Sequence, residues 1–256
     1  MASETINFSS IGVFHSSQVH PYEAGRQPDD VSAEGVIELS SGHNFEQALV
    51  GLNPGERIWI LFLFHHNTHW NPMVLPPRGV DSKIGVFATR SPYRPNPIGI
   101  SCVKIKKIEK LKIYIEGSDL LNESPILDIK PYLAYADSFP GSEPAWLKEA
   151  DPFFVEFSDE ASSQLNWLEQ NGLQQLKTFL QHQLEFEPTN SRKKRVKVDG
   201  DHYVLAYRTW RARFSLNHQQ VRVEKIFSGY SESELNLDED PYADKDLHRS
   251  FLKNFC

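Results

Sequence analysis

Apolar and polar residues alternate in short runs through the first half of the chain, and Gly, Pro or Asn closes most of the runs. A period of two with such punctuation predicts β-strands rather than helices. Strands are expected over residues 6–16, 35–39 and 126–130, with one helical turn over 44–49. Residues 58–65 read I-W-I-L-F-L-F-H. They are apolar at every position before the histidine, as in a strand covered on both sides. Residues 102–108 and 111–116 alternate across a tight Glu109-Lys110 link and predict a hairpin with one wet and one dry face. About seven short strands within residues 6–133, joined by Pro or Gly turns, predict a barrel or a sandwich.

The second half changes period. Residues 158–184 carry Leu165, Leu168, Leu173, Leu176 and Leu180 at helical spacing, interrupted at Gly172. Ser158 is placed to cap that helix, with Asp159 and Glu160 in its first turn. Strands are expected at 153–157, 202–206, 209–214 and 221–227. Alternation puts Arg211 and Arg213 on one face of the third of these, with Trp210, Ala212 and Phe214 on the other. After Tyr230 the chain is acidic and is expected to be a mobile or covering tail.

One stretch breaks both periods. Residues 84–101 read I-G-V-F-A-T-R-S-P-Y-R-P-N-P-I-G-I-S. Pro92, Pro95 and Pro97 each fix φ, remove a donor and keep the preceding residue out of the helical region. The segment is therefore a stiff extended loop between two strands, displaying Arg90, Ser91, Tyr93, Arg94 and Asn96. A rigid loop costs less entropy to hold in a binding shape. The alternative is a structural connection with solvated arginines. Earlier, Arg26 and Gln27 lie in a polar loop, where a guanidinium fork beside an amide can grip a carboxylate or a base edge. His65, His66 and His69 follow the apolar strand, but their spacing matches no specific zinc pattern, so no metal is expected. No G-x-G-x-x-G follows a strand, and a dinucleotide-type sheet is not indicated.

Composition adds an asymmetry. The net charge of −7 argues against a generally basic nucleic-acid binder. Residues 191–213 nevertheless hold Arg192, Lys193, Lys194, Arg195, Lys197, Arg208, Arg211 and Arg213 against Asp199 and Asp201, whereas residues 232–246 carry seven acidic side chains and one lysine. A local basic surface for a polyanion is thus open. Cys102 and Cys256 are the only cysteines, and neither a disulfide framework nor a cysteine zinc site is expected. The first ten residues lack the features of a signal peptide, and the longest apolar run, 58–64, is too short to span a bilayer, so a cytoplasmic location is expected.

F-A-T-R-S-P-Y-R-P-N-P-I-G, together with L-D-I-K-P-Y at 127–132, closely resembles the TsaA-like family, known as TrmO. The opening I-G-V-F-H-S, the R-Q pair at 26–27 and the strand ending in F-H extend the resemblance over roughly residues 6–230. It implies a mainly β protein: an N-terminal antiparallel β-barrel over residues 6–140 and a small α+β domain over 150–230, with residues 231–256 as an acidic tail. It also implies an S-adenosylmethionine-dependent methyltransferase acting on N6 of threonylcarbamoyladenosine at position 37 of tRNA, working as a homodimer. Carried over by position, the cofactor would touch Arg26, Gln27, His65, His66, Arg90, Ile100, Asp119, Leu120 and Leu121. The tRNA contacts expected are Arg94, Asn96, Arg192, Lys193, Lys194, Arg195, Arg211 and Arg213. Many members carry D-P-R-P-x-Y before the C-terminal strands; here F-E-P-T-N-S-R-K-K-R keeps the charge and loses that loop.

Methylation at N6 releases a proton. His65, His66, Asp128 and Tyr132 are acceptors by type, with solvent as an alternative, and Lys130 could orient Asp128 or touch the substrate carboxylate. Two rivals stand beside this reading. One is a non-catalytic RNA-binding barrel using Tyr203, Tyr207 and Trp210 as stacking platforms. The other is a methyltransferase with a different substrate.

Overall fold

The all-apolar strand is the staple of a closed barrel. The computed structural model describes residues 5–19, 34–147 and 151–255. Its first unit comprises Met1–Pro76 and Val80–Leu147, and its second Pro77–Gly79 and Lys148–Cys256. In chain order, the first unit holds β1 (Gly12–His15), β2 (Glu34–Leu39), α1 (Phe45–Ala48), β3 (Arg57–Leu63), β4 (Met73–Val74), β5 (Ile84–Gly85), β6 (Ile98–Glu109), β7 (Lys112–Glu116), β8 (Pro125–Pro131) and α2 (Ala134–Asp137). Strands β1-β2-β7-β6-β3-β8 close on themselves, every pair antiparallel, and β4 and β5 form a separate ribbon. Closure, not a sandwich, removes the sheet edges.

Alternation along β3 sends Ile58, Ile60 and Phe62 into the barrel, where they pack with Phe14, Ile37, Val103, Ile105, Ile113, Ile115 and Ile126. Its outward residues are covered only in part. Trp59 and Leu61 lie opposite Cys102 and Ile100 of β6, and the Trp59 indole donates to Asp137 of α2 at 2.9 Å. The run is therefore apolar on both faces because the outer wall is itself half covered. Strand β6 begins four residues earlier than the alternation suggested. Gly99 makes this possible, because a Cβ there would meet the Phe62 ring at 2.3 Å. A bulge puts Leu61 opposite Asp128 and Phe62 opposite Ile126, leaving Leu127 as the extra residue. Ile126 and Ile129 then both pack on the core.

The second unit contains β9 (Phe154–Phe157), α3 (Asp159–Gln170), α4 (Leu176–Glu185), β10 (Val196–Asp199), β11 (His202–Tyr207), β12 (Trp210–Asn217), β13 (Gln220–Ser228), α5 (Glu232–Leu235) and α6 (Lys245–Phe255). Its sheet runs β10-β11-β12-β13-β9, with β9 parallel to β13. The Ser158 hydroxyl caps α3 by accepting from Ala161 N–H at 3.0 Å. Gly172, at φ 100°, ends that helix, and Leu173 N–H returns to the Leu168 carbonyl. The single helical pattern is thus two helices.

The segment after Tyr230, expected to be a mobile or covering tail, is folded into this unit. Leu247, Phe251 and Phe255 repeat every four residues on α6, and Phe251 is buried in the core. Buried His248 lies within 2.9 Å of Thr209 Oγ1 and 2.8 Å of Ser228 Oγ and stacks on Trp210. The acidic composition of 232–246 drew attention from the amphipathic helix that follows it, which a four-residue period discloses.

Candidate functional site

One end of the barrel gathers most of the predicted cofactor contacts. Here β1 ends at His15, β2 starts at Glu34, β3 ends at Leu63, β6 starts at Ile98, β7 ends at Glu116 and β8 starts at Pro125. Residues 117–124 cross this end. Leu120 plugs into the core, so its side chain is closed to a ligand. Beside it, the Asp119 carboxylate accepts from the buried Ser101 hydroxyl at 2.5 Å. Asn122 Oδ1 accepts from Ser16 N–H at 3.0 Å, and Asn122 N–H donates to the Gln18 carbonyl at 2.7 Å. Ser124 N–H donates to the Leu121 carbonyl, closing the turn.

His65 stands just beyond β3 at the same end. Its Nδ1 is 3.5 Å from Ser124 Oγ, and its buried Nε2 has no hydrogen-bond partner among the described residues. Burial, and then the neighbouring His66 ring at 4.1 Å, push the His65 pKa below its ordinary value. The imidazole is thus held in its neutral form near pH 7. His66 itself is exposed.

The proline-rich loop is tied to the segment that carries these histidines. Phe64 N–H donates to the Pro97 carbonyl at 2.8 Å, Asn67 Nδ2 to the Pro92 carbonyl at 2.6 Å, and Asn71 N–H to the Tyr93 carbonyl at 3.1 Å. Arg94 braces the loop from inside, its guanidinium donating to the carbonyls of Thr89 at 2.8 Å and Val86 at 3.2 Å. Arg94, expected to contact tRNA, therefore spends donors on its own backbone. Arg90 and Asn96 remain exposed on the loop. Ile100, 46% exposed, offers an apolar wall on the outer face beside Leu61. Arg26 and Gln27 lie outside the described residues.

The other catalytic candidates are elsewhere on the barrel. Asp128 pairs with Lys130 at 2.9 Å. Asp128 lies opposite Leu61, Lys130 lies opposite Trp59, and Tyr132 N–H donates to the Arg57 carbonyl. At a strand rise of roughly 3.3 Å per residue, these positions are about 7, 13 and 20 Å along β3 from Leu63, its last residue before His65. One copy of the chain does not bring all four to a single reacting atom.

The basic segment of the second unit divides in two. Lys193, its side chain 1% exposed, pairs with Glu187 at 2.8 Å. Lys194 is buried and donates to the carbonyls of Gln183, in the last turn of α4, and Phe186, its C-cap. Both were expected on a tRNA-facing surface, and both are turned inward because orphan helix-end carbonyls and a carboxylate capture them. Arg192 and Arg195 are exposed. Arg213 bonds Asp199 at 2.7 Å. Arg211 is half-buried, donating to the Trp210 and Arg208 carbonyls, and burial followed by the charge of Arg195 lowers its pKa. The proposed stacking platforms fail the same test: Trp210 and Tyr207 are core residues, and Tyr203 packs on Phe214.

The barrel end thus combines an apolar wall, a carboxylate, hydroxyls, a neutral imidazole and a stiff arginine-bearing loop. This donor set fits an adenosine bearing an amino-acid side arm, and the orphaned His65 Nε2 leaves a polar position for a ligand atom to satisfy. Sequence reasoning did not single out Ser101, which ends the proline-bearing stretch, nor Ser124 and Gln18; hydrogen bonds to and within the 117–124 crossing make them neighbours of the site. Among the described residues no group of three His, Cys, Asp or Glu side chains is placed to hold a metal, and no helix is long and apolar enough to cross a membrane.

Residues 13–138 match the family model for the N-terminal domain of tRNA-methyltransferase O. The tRNA (adenine(37)-N6)-methyltransferase of Escherichia coli is 35% identical over 216 residues, covering 80% of this chain and 89% of that protein. A putative S-adenosylmethionine-dependent methyltransferase of Pseudomonas aeruginosa, RcsF, is 39% identical over 164 residues, 62% of this chain and 68% of that one. Among solved structures, that of TrmO from Pseudomonas aeruginosa aligns with a TM-score of 0.62 at 29% identity, covering 87% of this chain and 98% of that chain.

Proposed function

The chain belongs to the tRNA-methyltransferase O family, and from that premise we propose that it methylates N6 of threonylcarbamoyladenosine at position 37 of tRNA, using S-adenosylmethionine. The observation that carries the reading is the barrel end, where neutral His65, the Ser101–Asp119 pair and the braced proline loop meet. When bound, S-adenosylmethionine supplies an electrophilic methyl carbon on a positively charged sulfur, with a neutral thioether as leaving group. The chain's own part is alignment, electrostatics and one proton.

Arg26, Gln27, His65, His66, Arg90, Ile100, Asp119 and Leu121 form the cofactor site, with Leu120 contributing backbone only. Arg90 suits the cofactor carboxylate, Asp119 a ribose hydroxyl, and Ile100 and Leu121 the adenine faces. The proton that leaves N6 goes to His65. In the tautomer that donates Nδ1–H to Ser124, the lone pair lies on Nε2, and the lowered pKa keeps it free to accept. Asp128, Lys130 and Tyr132 serve another purpose within the same copy. Their separation from His65, with Tyr135 87% and Phe139 69% exposed nearby in the chain, supports a homodimer in which a second copy brings them to this end. Exposed Arg192 and Arg195, with Asn96 on the barrel unit, grip the tRNA backbone, and the protein works in the cytoplasm.

The test uses tRNA from cells lacking this gene, incubated with the protein and labelled S-adenosylmethionine and then digested for mass analysis. One methyl group on threonylcarbamoyladenosine is expected. Incorporation at another nucleoside rejects the substrate, and no incorporation by folded protein rejects the activity.

A further inference from the structure

Gln18 is fully buried, yet neither Oε1 nor Nε2 of its amide has a hydrogen-bond partner among the described residues. Because both atoms are orphaned, interchanging them changes nothing. Its backbone is fixed: N–H donates to Ser16 Oγ at 3.2 Å, and the carbonyl accepts from Asn122 N–H at 2.7 Å. Gln18 is therefore anchored to the turn that holds Asp119 and Leu121. Among the described residues, five buried side-chain polar atoms lack partners, and three of them belong to Gln18 and His65. The hydrogen-bonding deficit is concentrated at the proposed cofactor end, although the rest of the barrel core is apolar.

An unpaired buried amide is unfavourable, and a leucine in its place would remove the penalty. Such a group is retained where a ligand completes it. A carboxamide offers a donor and an acceptor side by side, which is the complement of adenine's N6 amino group and an adjacent ring nitrogen. It is already removed from water, so pairing with a ligand forfeits no hydration at this group. Gln18 is covered in the ligand-free chain, so the contact requires its amide to swing toward the 117–124 crossing, a movement that breaks no side-chain hydrogen bond among the described residues.

We infer that Gln18 recognises the adenine ring of S-adenosylmethionine through a two-point hydrogen bond from its side-chain amide. This rests on the reading of the barrel end as the cofactor site. It makes Gln18 the residue that reads the base, while the arginine-bearing loop addresses the charged side arm.

Calorimetry on the full chain tests it with two probes, S-adenosylhomocysteine and 5′-methylthioadenosine. They share the adenine, and the second lacks the amino acid. Gln18→Leu is expected to weaken both by the same factor, roughly tenfold to a hundredfold for one bidentate contact. The ligand-free variant is expected to melt at or above the wild-type temperature, because an orphaned amide has been removed. If leucine does not fold, Gln18→Met, unbranched and of similar length, takes its place. Unchanged affinity for both probes overturns the inference and leaves the cofactor site standing. Weakening of S-adenosylhomocysteine alone moves Gln18 to the amino-acid end and also overturns it. If the wild type binds neither probe, the cofactor reading falls together with the inference.

Discussion

Phe251→Ala tests whether the acidic C-terminal segment is structural. Phe251 is 1% exposed, with ring centroids of Trp210, Trp167 and Phe255 at 5.1, 5.8 and 4.9 Å. Truncating a buried phenylalanine removes its transfer energy and leaves a cavity, together about 3–5 kcal/mol. The aromatic contacts, about 0.5–1.5 kcal/mol per pair, are lost within that total rather than added to it. The lower half of the range is expected, because the neighbouring Phe255 is only partly buried and can close over the gap. Urea unfolding followed by tryptophan fluorescence reports the change directly, since Trp167 and Trp210 both border the site. With a slope of about 1–3 kcal/mol per molar for a unit of this size, a loss of about 3 kcal/mol lowers the midpoint of the second unit's transition by about 1–3 M. A surface control, Asp246→Asn, is expected to stay within about 0.5 kcal/mol. A loss below about 1 kcal/mol for Phe251→Ala would refute the packing and return the segment to the role of a loose tail.

Four further outcomes follow from the same structure. His65 has a folded pKa below 6.5, so the unfolded chain binds the extra proton as pH falls through that value. The destabilisation is absent above about pH 6.5, grows below it and levels off beneath the folded pKa; thermal melts of wild type and His65→Gln between pH 5 and 8 are expected to diverge only at the acid end. Gly99→Ala forces a methyl group into the Phe62 ring and is expected to cost about 1–3 kcal/mol, measured by thermal unfolding; a neutral result would show that the β3–β6 contact is slack. Lys193→Met strips the Glu187 carboxylate of its cation and leaves it the Asn190 amide, which donates to it at 3.2 Å, and some water; the expected cost is about 1–3 kcal/mol, below the fully buried case. Arg192→Gln, by contrast, is expected to leave stability unchanged and to flatten the salt dependence of tRNA binding by a slope of about 0.7–0.9; equal effects of the two variants on binding would overturn the division of the basic run.

Much of the barrel was readable from alternation alone, because in a strand each residue's face follows from its position. The strands around residues 35–39 and 111–116 needed nothing more, the one around 126–130 was placed but its faces were not, and three prolines by themselves excluded helix or central strand from the loop that braces the site. Placing His65 at the end of an apolar strand was equally local. The family resemblance rested on contiguous motifs, which is why function was legible before any contact was known.

The remaining features depend on residues far apart in sequence, whose proximity no local pattern encodes. The bulge at Leu127 decides that Ile126 and Ile129 both reach the core. Antiparallel register separates His65 from Asp128, Lys130 and Tyr132, although all four sit in or beside recognisable strands. Arginine and lysine look alike as charge along the chain, yet Lys193 and Lys194 are consumed by Glu187 and the end of α4 while Arg192 stays in water. Gln18 lacks any sequence signal at all, since an unpaired amide is defined by what the fold fails to place beside it. Propensity and periodicity act within a few residues, and so they determine strands, faces and turns. Register, closure and the satisfaction of buried polar groups are properties of the packed chain, and they alone decided which of the candidate residues stand together.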